Sequence, residues 1–387
     1  VQGVSAHKAT GGTVLQRVER LVVKVGSSLF VDAASGDFDR QWLEALCADV
    51  ARIRARGTDV VIVSSGAVAL GRRSLRMESG PLRLEDKQAA AAAGQIVLSH
   101  AYQELLNAHG LLTAQVLLTL DDSESRRRYL NASRTLLNLL RREAVPVVNE
   151  NDTVATQELR YGDNDRLAAR VAQMISADCL VLLSDVDGLF TSDPQNDPNA
   201  AHIAEVTELN AEHFRMAGGP GTAHGSGGMR TKLDAARLAV SAGCRMAICN
   251  GHVQRPLEAL ENGARATWFL PSATPRAARK QWIAGTLQPK GSVQVDGGAE
   301  QALAGGRSLL PAGVTAVSGS FDRGDAVRIL SADGVELGRG LIAYPSDEAK
   351  SIVGLRSGQI EAALGYRGRD EIIHRDDMAL ASKGESR

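Results

Sequence analysis

Two lysines stand where the charge of a small anionic substrate could be handled. Lys24 lies inside the apolar run VVKVGSS, with Gly26, Ser27 and Ser28 directly behind it. An unpaired ammonium in a buried strand is costly, so Lys24 needs an anionic partner or must reach one at the strand's end. The Gly-Ser-Ser turn adds backbone N–H groups and hydroxyls suited to a phosphate. A purely structural Lys–carboxylate pair beside a turn is the competing reading. Lys232 closes a second such feature, GSGGMRTK over 225–232. There a glycine-rich loop runs into Met229, Arg230, Thr231 and Lys232, which read as the start of a helix. GxxxxGK[ST] is absent, because the lysine follows Thr231 and not a glycine, so this is not a Walker loop. Pliable backbone donors with a cation at a helix start still suit phosphate. A flexible linker would account for the glycines but not for an ordered helix start.

Other polar groups follow apolar runs in the same way. VVIVSSGAVALG, 60–71, ends its run at Ser64, Ser65 and Gly66. A tight turn opening a helix offers N–H groups to an anion, although any strand-to-helix turn can use Ser and Gly. Asn149–Asp152 (NEND) and 161–166 (YGDNDR) bring Glu150, Asp152, Glu158, Asp163 and Asp165 close together in sequence. Asp163 and Asn164 are good N-cap residues, so capping explains one acid but not both clusters. A further run, CLVLLS, delivers Ser184 and Asp185.

The elements that must position these groups are legible as alternating β and α patterns over 20–270. Runs at 21–25, 59–63, 113–118, 145–148, 179–184 and 245–249 lack polar alternation, as strands buried on both faces do. Between them, Trp42, Leu46, Val50 and Ile53 mark one face of a helix over 39–56 that ends at Gly57. Further helices are expected at 87–109, 123–143 and 164–177. The fold class is therefore α/β, a mostly parallel sheet sandwiched by helices. Open sheets of this kind bind ligands beyond the carboxyl ends of their strands, where all the groups above would lie. The segment 271–290, rich in Pro, Arg and Lys, reads as a linker with one short helical patch. From 291 to 387 short strands cut by turns indicate a small β-rich domain.

Composition limits the function classes. The 387 residues suit two domains, and the formal charge of −1 argues against nucleic-acid binding by the whole chain. No run of 18 apolar residues marks a membrane span. Residues 1–19 lack an apolar signal core and are expected to form a mobile extension. Cys47, Cys179, Cys244 and Cys249 are scattered without metal-ligand spacing, which points to buried thiols in a reducing, cytoplasmic setting.

Taken in order, VVKVGSS, VSSGAVALG, VNENDTVAT, YGDNDRL, LLSDVDGLF and GSGGMRTK resemble the amino-acid kinase family. The resemblance is strongest to the members that phosphorylate glutamate in proline biosynthesis, and it covers about 20–385. The tail SLLPAGVTAVSGSFDRGDAVRI resembles a PUA domain, which acetylglutamate, uridylate and carbamate kinases lack. Carried over motif by motif, the resemblance implies that Lys24 and Lys232 contact the transferring phosphoryl group and that Asp165 holds both lysines in place. It implies that Ser184, Asp185 and the loop Ser226, Gly227, Gly228, Met229, Arg230, Thr231 and Lys232 bind ATP. It assigns Ser65, Asp152 and Asn164 to glutamate. Ser226 stands where Thr is frequent, and the hydroxyl is kept.

The resemblance further implies ATP as co-substrate with Mg²⁺, inhibition by proline, and a homo-oligomer, dimer or tetramer. A labile acyl-phosphate product makes a glutamyl-phosphate reductase a natural partner. No general base stands out among the motifs, which fits an acceptor that is already ionised, such as a carboxylate. Two rivals remain at this point: a family member with another acceptor, and an RNA-binding protein acting through its PUA-like tail. Against the second, 271–387 shows no obvious aromatic stacking platform, and its arginines are interspersed with acids. A scaffold that has lost catalysis is disfavoured by the intact lysines and DND motif.

Overall fold

The computed structural model describes residues 14–31, 38–78, 80–154, 164–194, 196–217, 228–285 and 288–380. The chain divides into two compact units, 1–275 and 276–387.

In the first unit the apolar runs become β1 (Arg20–Val25), β2 (Asp59–Ser64), β3 (Thr113–Leu118), β4 (Val145–Glu150) and β5 (Cys179–Ser184). Short strands β6 (Leu189–Phe190), β7 (His202–Ile203) and β8 (Glu205–Val206) precede β9 (Arg245–Asn250) and β10 (Ala266–Phe269). One sheet runs in the order β3-β4-β2-β1-β5-β9-β10-β8, while β6 pairs with β7. The pairings from β3 through β9 are parallel, and β10 runs antiparallel to β9. Val25 is level with Ser64 and with Leu183, and Leu118 is level with Glu150. The parallel register therefore lines up the carboxyl ends that carry Lys24, Ser64, Asn149 and Ser184.

The connecting helices are α1 (Arg40–Arg54), α2 (Ala67–Ser74), α3 (Leu84–Asn107), α4 (Leu120–Glu124), α5 (Arg126–Arg141) and α6 (Asn164–Ile175). After them come α7 (Ala211–Met216), α8 (Met229–Ser241) and α9 (Pro256–Glu261). Trp42, Leu46, Val50 and Ile53 are buried as their spacing predicts, against Val23, Val60 and Ile62 of the sheet. Gly57 and Gly110 take positive φ just past α1 and α3, a conformation that glycine adopts without a Cβ penalty.

Three expectations need correction. The run 113–118 is not buried on both faces: β3 is the edge strand, and Leu117 is exposed. The helix expected over 123–143 is two helices, because Thr119 and Asp122 form a capping box on α4 and Ser125 is extended. Residues 14–19 were expected to be mobile, yet Leu15 and Val18 lie in the core cluster with Leu21 and Val23. The remainder of the expected extension, 1–13, lies outside the described residues.

The second unit is built on a five-stranded sheet ordered β12-β11-β13-β14-β15. Its elements are α10 (Pro275–Gly285, shared with the unit boundary), β11 (Gly291–Val295), α11 (Gly297–Ala304), β12 (Val314–Gly319), β13 (Ala326–Leu330) and β14 (Glu336–Leu341). Helices α12 (Ser346–Ser351) and α13 (Ile360–Leu364) and strand β15 (Met378–Leu380) complete it. Val293, Val327, Ile329, Ile342, Tyr344, Ile352 and Ile372 form its own core. Within this unit Arg279 of α10 pairs with Asp377 at 2.6 Å. Much of the segment expected to be a linker is thus ordered helix.

Candidate active site

The two lysines singled out by sequence meet on one carboxylate. Lys24 Nζ lies 2.7 Å from Asp165 Oδ1, and Lys232 Nζ lies 3.4 Å from Asp165 Oδ2. Lys24 comes from β1, Lys232 from the first turn of α8, and Asp165 from the first turn of α6. Asp165 is 2% exposed. Burial alone would raise its pKa; the two ammonium charges and their hydrogen bonds outweigh burial and hold the carboxyl below its ordinary range. The three charges sum to +1. Asp165 therefore suppresses the repulsion between the lysines and still leaves net positive charge for an incoming phosphate.

A second, neutral cluster lies beside this triad. Asn164 Nδ2 donates to Ser65 Oγ at 2.6 Å and to Asn149 Oδ1 at 3.0 Å. Asn149 Nδ2 donates to Gln95 Oε1 at 2.8 Å, and its own Oδ1 also accepts the Glu150 N–H at 2.9 Å. Buried Tyr102 donates to Ser64 Oγ at 3.0 Å. The turn itself needs glycine, since Gly66 has φ +108°. One expectation shifts here. The Ser65 N–H is committed to Val25 O at 3.1 Å, so it is not the donor offered to an anion. No side chain caps the first turn of α2, which leaves that helix start as the donor surface.

Asp152 follows β4 in a short 3-10 turn, half-buried. Burial pushes its carboxyl pKa up. Among the described residues no cation pairs with it. On the far side of β1, Ser184 Oγ donates to Asp185 Oδ1 at 2.9 Å. At the start of α8, Thr231 Oγ donates to Gly228 O at 2.8 Å, and no side chain caps Gly228. Arg230 turns its guanidinium over the Phe214 ring at 5.9 Å. Of the expected site residues, Ser226 and Gly227 lie outside the described residues, as do Glu158 and Asp163.

Thus Lys24, Asp165 and Lys232 converge, and Ser65 joins Asn164. Ser184, Asp185 and Gly228–Lys232 flank the lysines along neighbouring elements. Gln95, Asn149 and Tyr102 had no role assigned from sequence. One signal was available: Gln95 is a polar residue on the α3 face that carries Ala91, Leu98 and Tyr102 into the core. All four cysteines are free and buried.

The family model for the amino acid kinase family matches residues 19–250, and that for the PUA domain matches 291–364. Glutamate 5-kinase of Paramagnetospirillum magneticum is 61% identical over 366 residues, covering 95% of this chain and 99% of that relative. Glutamate 5-kinase of Rhodospirillum rubrum is 59% identical, covering 94% and 96%. Glutamate 5-kinase of Paracoccus denitrificans is 57% identical, covering 95% and 98%. The chain belongs to the amino acid kinase family, in its glutamate 5-kinase branch with a C-terminal PUA domain.

Proposed function

We propose that this chain transfers the γ-phosphoryl group of ATP to the γ-carboxylate of L-glutamate, giving glutamyl 5-phosphate at the first step of proline biosynthesis. The observation that carries this reading is the Lys24–Asp165–Lys232 triad beside the Ser65–Asn164 pair. The substrate carboxylate is ionised near neutral pH, with a reference pKa of about 4.3. One of its oxygens forms the new bond to Pγ, the bond from Pγ to the β,γ-bridging oxygen breaks, and ADP leaves with that electron pair. No proton has to be removed, so the residues act by positioning and charge.

Lys24 and Lys232 approach the transferring group and screen its repulsion with the carboxylate, while Asp165 keeps their ammonium groups in register. Ser184, Asp185 and 226–232 hold ATP. Ser65, Asp152 and Asn164 hold glutamate, with the carboxylate of Asp152 against the α-ammonium. Mg²⁺ supplies charge neutralisation on the distal phosphates. Among the described residues no cluster of three or more His, Cys, Asp or Glu could cage an ion.

The same reading takes 20–270 as the kinase domain and 291–387 as a PUA-like domain joined through 271–290. It places a homo-oligomer, dimer or tetramer, in the cytoplasm, inhibited by proline and served by a glutamyl-phosphate reductase. No described helix is long and apolar enough to cross a membrane. The test is ADP release with glutamate, N-acetylglutamate, aspartate or UMP as acceptor, with hydroxylamine trapping of the acyl phosphate and with proline added. Glutamate-dependent release with a trapped hydroxamate is expected. Release with another acceptor alone sinks the assignment.

A further inference from the structure

The neutral cluster has a direction. A backbone N–H can only donate, so the Glu150 N–H, 2.9 Å from the Asn149 side chain, requires the carbonyl oxygen there. The Asn149 amide nitrogen must then face α3, where Gln95 Oε1 receives it at 2.8 Å. Gln95 Nε2 passes on to Ser99 Oγ at 3.0 Å. In the other direction, Asn149 Oδ1 accepts from Asn164 Nδ2, whose second short bond goes to Ser65 Oγ. Each amide thus donates toward an acceptor fixed by the next, from Asn164 to Ser99. The Asn164 carbonyl Oδ1 is the end product: it is buried and has no partner among the described residues.

Gln95, Asn149 and Asn164 are 8%, 3% and 7% exposed, so water does not readily replace a lost partner. The distance between Gln95 and the Ser65 turn is also set by backbone. A Cβ on Gly94 would lie 1.8 Å from Ala67 O, and one on Gly71 would lie 1.7 Å from Ala90 O. Helices α2 and α3 therefore touch main chain to main chain beside Gln95, which ties the backbone at Gln95 to the helix that follows the Ser65 turn.

We propose that Gln95 is a positioning residue for glutamate. By accepting from Asn149 Nδ2 it locks the orientation that the Glu150 N–H selects, and through it the face that Asn164 and Ser65 present to the substrate. This inference rests on the assignment of Ser65 and Asn164 to glutamate made above. Removing the acceptor leaves the buried Asn149 amide nitrogen unsatisfied, or lets Asn149 turn so that Asn164 Nδ2 meets an amide nitrogen in place of the carbonyl oxygen it now donates to.

The experiment compares Gln95→Met, similar in length but without an acceptor, with Gln95→Glu, which keeps the acceptor, in the full chain. Steady-state kinetics are measured with glutamate and ATP varied separately, alongside Tm. Gln95→Met is expected to raise the glutamate KM about tenfold, with the ATP KM within about twofold. Gln95→Glu is expected to stay within about threefold of the parent for glutamate. An unchanged glutamate KM in Gln95→Met overturns the proposal, as does an equal rise in both KM values, which marks a general structural role. If Gln95→Met does not fold, Ser99→Ala takes its place. A selective rise of about threefold in its glutamate KM supports the relay, and no rise overturns it. A parent chain inactive with glutamate is a different failure, one that removes the function proposed above and not only the role of Gln95.

Discussion

The two halves of the site solve the same problem, holding an anion beside a buried sheet edge, by different physics. The lysine half is charged. Its members come from three separate elements and meet on Asp165 at 2.7 and 3.4 Å. Charge acts over several ångströms and tolerates small shifts in geometry, so this half suits a group that changes shape as it reacts. The amide half is neutral. It is made of directional bonds of 2.6 to 3.0 Å among Ser65, Asn164, Asn149 and Gln95. Such bonds act only at contact and are sensitive to orientation, which suits recognition of a substrate that stays put. On the function proposed above, the comparison assigns rate and specificity to different side chains, even though both clusters hang from α6 through neighbouring residues, Asn164 and Asp165.

That division can be broken by experiment. The largest effect is expected from Lys232→Ala, which removes one of two cations from the transferring group. Turnover should fall by ~10²-fold or more, the size seen when one donor to developing negative charge is lost. A kcat close to the parent's, measured by ADP release, would take Lys232 out of the reaction. Next comes Asp152→Ala, which deletes the carboxylate assigned to the ammonium group of glutamate. Its glutamate KM should rise about tenfold or more, in line with losing a hydrogen bond to a charged group. A change in the ATP KM alone would place Asp152 on the wrong half.

The smallest effect is on stability and is confined to acid. The native pKa of Asp165 is held below the ordinary carboxylate value. Its pairing therefore stabilises the fold fully above about pH 4 to 5, and the gain is lost as pH falls through the lower native value. Urea unfolding of the parent and of Asp165→Asn should differ by a constant amount above pH 5 and converge below pH 4. The amides and hydroxyls among Ser65, Asn164, Asn149 and Gln95 do not titrate in this range and carry no such dependence. A gap between the two proteins that widened toward low pH would contradict the pairing.

How much of this could be read in advance differs between the halves. Lys24 was legible because a charge in an apolar run demands an explanation, Lys232 because it follows a glycine-rich loop at a helix start, and the role of Asp165 only through the resemblance of its motif. Ser65, Asn164 and Asp152 emerged through the resemblance of their motifs. Gln95 did not emerge, because it sits in an alanine-rich helix more than fifty residues before Asn149, and a single glutamine there is ordinary. Tyr102 was hidden for the same reason. The break between α4 and α5 was missed because the capping signal at Thr119 begins before the helical pattern does. Leu15 and Val18 were missed because a polar, glycine-rich start obscured two core positions.

Sequence alone determined the kinds of element and their order. Apolar β-branched runs dictate strands, amphipathic stretches dictate the helices between them, and parallel connection sends the carboxyl ends of β1 to β5 and β9 to one edge. It also determined that cations and carboxylates must find each other, since none is stable alone in an apolar run. The tertiary structure decided the partners. Strand order places β1 between β2 and β5, which brings Lys24 within reach of Asp165 and lets Lys232 arrive from α8. The glycine contact between α2 and α3 brings Gln95 to Asn149. Those pairings depend on distances between segments far apart in the chain, and local propensity carries no information about them.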